Sequence, residues 1–61
     1  MNEYEMMKKM FERIGANVYY EEAYEWAKKW YGAAYRVLVE PDYERGTEFY
    51  FDADGKLVYV E

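Results

Sequence analysis

No cysteine and no histidine occur anywhere in these 61 residues, and that absence constrains the fold more than any residue present. A chain this short buries only about 60% of the surface its unfolded form exposes, so small domains usually carry a staple. Disulfides are excluded, and a Cys/His zinc site with them. What remains is dense packing, self-association or a partner. The composition supplies material for packing, since 52% of residues are hydrophobic and 23% aromatic, with nine Tyr and two Trp. One domain spanning residues 1–61 is expected.

Periodicity divides that domain in two. Asn2, with Glu5 three residues on, forms a capping box. Tyr4, Met7, Met10, Phe11 and Ile14 then recur at three-and-four spacing, and Gly15 follows as a helix stop. This predicts a helix over about 3–14. Asn17 caps a second predicted helix over about 18–31, with a stripe of Tyr20, Ala23, Tyr24, Ala27, Trp30 and Tyr31 and a stop at Gly32. A short strand over Asn17–Glu21 competes with it, because Val-Tyr-Tyr favours strands; the helix is preferred.

From Ala34 the period becomes two. Strands are expected at about 34–40, 47–52 and 56–60. Asp52-Ala53-Asp54-Gly55 is hairpin chemistry, with Gly55 suited to a left-handed turn position. Pairing Asp52 with Lys56 sets Phe51 opposite Leu57 and Phe49 opposite Tyr59. The predicted fold is α+β: two helices packed on one face of a three-stranded antiparallel meander, in the order ααβββ. Tyr4, Phe11, Tyr20, Tyr24, Trp30, Phe49, Phe51 and Tyr59 are the expected core aromatics.

Most chemistry is then set aside. With no Ser, Cys or His, acyl-transfer triads cannot be assembled, and a non-enzyme is expected. A calcium-loop alignment over Tyr50–Glu61 requires a carboxylate where Tyr50 stands, and its flanks alternate as strands. No phosphate-cradling glycine motif occurs, so neither cofactor nor metal is expected. No apolar run is long enough to span a membrane, and the acidic start Asn2-Glu3-Tyr4-Glu5 lacks a signal peptide's basic region. A cytoplasmic location follows as the expectation.

Charge is the remaining signal. Residues 1–39 hold six acids and six bases, whereas residues 40–61 hold seven acids against Arg45 and Lys56, so the whole net charge of −5 lies in the last third. Such a segment repels nucleic acid and anionic membranes and attracts basic surfaces. If the even-numbered strand residues face outward, Glu48, Tyr50 and Asp52 share one exposed face with Arg36, Leu38, Val58 and Val60. Glu40, Asp42, Tyr43, Glu44 and Asp54 complete the expected partner-binding set, with Tyr43 and Tyr50 as anchors.

Two readings follow. The first is an acidic protein-binding module, an inhibitor or DNA mimic that docks on a basic, nucleic-acid-handling partner. In size and charge alone the chain resembles small acidic phage-encoded inhibitors such as anti-CRISPR proteins. The alternative is a designed or structural mini-domain with no ligand, favoured by the agreement among caps, stops and turns. A homodimer through a sheet edge is compatible with both.

Overall fold

The structure, a computed structural model, describes residues 1–39 and 46–61. Their elements run α1 (Glu3–Ile14), β1 (Val18–Glu22), α2 (Glu25–Tyr31), β2 (Tyr35–Val39), β3 (Thr47–Phe51) and β4 (Leu57–Val60). The class is α+β, with two helices and an antiparallel four-stranded sheet in the order β1-β2-β3-β4.

The expected helix over 18–31 is therefore corrected: its first part is β1 and only its second part is helical. Val18-Tyr19-Tyr20 has strand-favouring side chains, and β1 pairs along the whole of β2, from Val18 with Val39 to Glu22 with Tyr35. Without β1, β2 would present an unpaired edge. The competing strand reading was the right one for this segment, and the sheet has four strands where three were expected.

The helices are also corrected in placement, since they cover opposite faces of the sheet. Phe51 and Tyr50 are consecutive strand residues, so their side chains point to opposite sides. Tyr4 of α1 packs edge-on to Phe51, stacks on Tyr35 at 5.0 Å between ring centroids and meets Tyr20 edge-on. Trp26 of α2 instead lies 5.4 Å from the ring of Tyr50 and 5.9 Å from that of Tyr59. Both faces are consequently dry near the centre of the sheet, with Val37 and Phe51 buried under α1 and Tyr50 and Arg36 buried on the α2 side. Ala23, Ala27 and Ala33 form one buried cluster with Tyr50. Their small side chains let the short α2 segment approach closely enough to cover a tyrosine ring.

Asn2 caps α1 as expected, its side-chain oxygen accepting from the Glu5 N–H at 2.8 Å, and Gly15 closes the helix. The β3–β4 turn also follows expectation. The Asp52 carboxylate accepts from the Asp54 and Lys56 N–H groups, both at 2.9 Å, while the Gly55 N–H donates to the Asp52 carbonyl. Gly55 adopts φ 80°, and a Cβ there would lie 2.2 Å from the Asn2 carboxamide. Its carbonyl accepts from the Tyr4 N–H at 2.9 Å, and Glu3 accepts from the Leu57 N–H. The turn and the start of α1 thus lock each other in place, which requires glycine for both conformation and space.

Phe51 pairs with Leu57 as expected, but Phe49 pairs with Val60 rather than Tyr59. An extra residue, Val58, sits between the Phe51–Leu57 and Tyr50–Tyr59 pairs. Val58 and Tyr59 then both pack against the alanine and Tyr50 cluster.

Candidate functional site

The side chains expected to form an exposed acidic face are built into the α2 side of the sheet. β2 and β3 pair Arg36 with Tyr50 and Leu38 with Glu48, while β1 brings Glu21 opposite Arg36. Arg36 is 6% exposed. Its Nε donates to Glu48 Oε1 at 2.5 Å and its NH1 to Glu21 Oε2 at 2.8 Å. Tyr50 Oη donates to the same Glu48 oxygen at 2.7 Å. The ring of Tyr24, at the entrance to α2, lies over the guanidinium at 4.6 Å. Among the described residues no buried side-chain nitrogen or oxygen lacks a partner.

Tyr50 is 0% exposed, so it is a core residue rather than a surface anchor. Burial and then the neighbouring Glu48 push its phenol far above the usual range. Burial also raises the Glu48 carboxyl, but the hydrogen bonds from Arg36 and Tyr50 outweigh it and hold that carboxyl below its ordinary value. The network suits orientation and stability, since Glu48 Oε1 accepts from both Arg36 and Tyr50 while Arg36 also holds Glu21.

The other expected contact residues divide. Asp52 is half-buried and its carboxylate shapes the turn, whereas Asp54 is exposed beside it. Glu48 and Asp52 lie near opposite ends of β3. Glu40, Asp42, Tyr43 and Glu44 lie outside the described residues. Among the described residues no group of three or more carboxylates could hold a metal ion, and no helix is long and apolar enough to cross a membrane.

What the sequence reading missed is a set of aromatic and apolar surfaces. Trp30, expected in the core, is 75% exposed. Trp26, Tyr24 and Tyr31 are also exposed, and Tyr31 stacks on Tyr59 at 4.2 Å. Trp26 and Trp30 stand at i,i+4 spacing, so one helical turn of α2 carries both. On the opposite side, Met6, Met10 and Ile14 of α1 are exposed next to an apolar groove that Phe51 and Leu57 also line. Of the helical face read from spacing, only Tyr4, Met7 and Phe11 turn far enough toward the sheet to be half-covered. A third feature is a cleft of 530 Å³ lined by Tyr4, Tyr20, Glu21, Glu22, Ala34 and Tyr35.

No family model, curated protein or solved structure matches this chain.

Proposed function

We propose that this chain is a non-enzymatic, acidic protein-binding module that docks on a basic, nucleic-acid-handling partner, in the manner of an inhibitor or DNA mimic. The observation that carries this reading is how the fold uses its cations. Arg36 is held between Glu21 and Glu48, and Lys28 between Glu22 and Glu25. Each base is thus outnumbered by the carboxylates around it, which adds a negative region at the β1 end to the acid excess of residues 40–61. Exposed Trp26, Trp30 and Tyr31 are residue types that anchor interfaces. Within the proposed contact set, Asp54 is exposed, while Glu48, Tyr50 and Asp52 support the surface from within; Glu40, Asp42, Tyr43 and Glu44 stay in the set on their charge and residue type alone.

The test is retention of candidate basic proteins by the immobilised chain at low and high salt. Joint reversal of Asp42 and Asp54 to Lys is expected to weaken retention about tenfold or more, as loss of complementary charge does at such interfaces. Reversal of Glu5 and Glu12 on α1 should change it by less than about twofold, and equal effects would reject the assignment.

The alternative, a mini-domain without a partner, draws on the mutual locking of the Asn2 cap and the Gly55 turn. It predicts no stoichiometric, salt-sensitive retention of any partner.

Self-association through a sheet edge belongs to the same proposal. The described sheet ends in β1 and β4, and Leu57 and Val60 leave apolar surface on β4. Light scattering over a dilution series is expected to show a dimer that dissociates on dilution, and Val60→Lys should shift it to monomer. A constant monomer mass would eliminate this part.

A further inference from the structure

We infer that the tyrosine cleft between α1 and the β1–β2 end of the sheet is a binding site for an arginine side chain presented by a basic protein. The inference rests on the proposed function for the source of that side chain, but its recognition chemistry stands on the cleft itself.

The cleft is formed where three aromatic rings from three elements converge. Tyr4 comes from the first turn of α1, Tyr20 from β1 and Tyr35 from the start of β2. Tyr35 is stacked on Tyr4 with an interplanar angle of 26°, and Tyr20 meets Tyr4 edge-on at 84°. Glu22 pairs across the strands with Tyr35 at the end of β1 and lines the cleft at its rim, with its carboxylate reaching Lys28 of α2. At 530 Å³ the space is within the range of about 300–1,000 Å³ occupied by small-ligand sites.

Its electrostatics select a cation. The π faces of tyrosine are electron-rich and attract ammonium and guanidinium groups. This fold already uses its tyrosines in that way, with Lys8 Nζ 5.1 Å from the ring centre of Tyr20 and Arg36 over Tyr24. No Lys or Arg is among the described residues that line the cleft. The two carboxylates at its rim belong to separate clusters, Glu22 with Glu25 around Lys28 and Glu21 with Glu48 around Arg36. Each cluster therefore carries one more carboxylate than it has bases. An anionic ligand is repelled, and a neutral one gains less from the carboxylates than a cation does.

Among cations, guanidinium fits both halves of the site. Its plane can stack on an aromatic ring while its N–H fork binds a carboxylate, a combination ammonium lacks. Glu22 already contacts Lys28, but both partners of that pair reach solvent, with side-chain exposures of 76% and 33%. Such an exposed pair contributes little and yields readily to a better-placed cation.

The probe is N-acetyl-arginine amide, titrated into the isotopically labelled chain and followed by NMR. N-acetyl-citrulline amide serves as its neutral isostere and N-acetyl-lysine amide as the ammonium comparison. Arginine is expected to shift the Tyr20 and Tyr35 ring signals and the Glu22 and Ala34 amides, saturably and less at high salt. Citrulline should bind at least about fivefold more weakly, and Glu22→Gln and Tyr35→Leu should each weaken arginine binding about fivefold. Tyr35→Leu removes a ring stack with Tyr4, so Glu22→Gln, at an exposed position, provides the readout that does not depend on folding. Equal responses to arginine and citrulline, or shifts confined to other surfaces, would overturn the site. If a basic partner is retained in a salt-sensitive manner yet the probe fails, the cleft assignment falls and the binding-module reading stands. If the probe binds as expected but no basic partner is retained, the cleft stands and the binding-module reading falls.

Discussion

Tyr50→Ala is expected to abolish the cooperative unfolding transition at room temperature. Tyr50 is fully buried, its ring lies 5.4 Å from Trp26 and 5.8 Å from Tyr59, and its hydroxyl serves Glu48. Truncating a buried aromatic residue typically costs about 3–5 kcal/mol. At about 0.05–0.15 kcal/mol per residue, a domain of this length has only about 3–9 kcal/mol in total. Tyr50→Phe separates the two contributions: the ring stays, Glu48 keeps Arg36, and the loss should be about 1–2 kcal/mol. Circular dichroism during denaturant titration measures both variants. A Tyr50→Ala protein with a near-native midpoint would show that α2 does not form the second half of the core.

The same residue sets an alkaline limit. Its phenol titrates far higher in the folded chain than in the unfolded one. Above the ordinary tyrosine range the unfolded state therefore loses this proton while the folded state keeps it. Its contribution is complete below the unfolded value and is lost as pH rises toward the folded one. The alkaline fall in stability should be shallower in Tyr50→Phe. It should not vanish, because burial also raises Tyr20 and Tyr59.

The second large effect concerns Arg36. Arg36→Met is expected to destabilise the fold by about 2–4 kcal/mol, since breaking a buried pair leaves a charge uncompensated. The lower part of the usual range applies because the Glu48 side chain is 22% exposed and water can reach it. Glu48 would keep only the Tyr50 hydroxyl. Arg36→Met combined with Glu48→Leu should recover much of the loss, because apolar replacement of both partners removes the orphaned charge. If the double variant is as unstable as the sum of the single ones, the two side chains do not interact in solution.

Glu48 also predicts an acid dependence of opposite sign to that of Tyr50. Although burial alone would raise it, its carboxyl is held below the ordinary value by Arg36 and Tyr50. Its contribution is present above the unfolded carboxylate range and is lost as pH falls through the lower folded value. In Glu48→Gln that part of the acid transition should disappear.

Local chemistry was legible wherever one short segment decides the conformation. The Asn2 cap, the Gly15 stop, the Asp52–Gly55 turn and the Phe51–Leu57 pairing all depend on residues close in sequence. The segment around Tyr19 and Tyr20 was harder. The spacing of Tyr20, Ala23, Ala27 and Trp30 fits a helix, while Val18-Tyr19-Tyr20 fits a strand, and hydrogen bonding to β2 decided between them. The misplacement of the candidate site followed from this segment. Reading β1 as helix places both helices on one face and leaves Glu48 and Tyr50 to solvent.

By itself, then, the sequence determined the α+β class, the Asn2 cap and the helix stops, the β3–β4 hairpin and the acid excess of the last third, but not the start of α2, which follows Tyr24 rather than Asn17. These depend on periodicity, on backbone preferences and on charge counts, which need no knowledge of distant neighbours. The tertiary structure alone decided that β1 extends the sheet, that α1 and α2 cover opposite faces, and that Arg36 sits buried between Glu21 and Glu48. It also brought Tyr4, Tyr20 and Tyr35 together around one cleft. The physical reason is shared: strand alternation specifies two faces but not which one meets water. That choice depends on where a helix distant in sequence comes to pack.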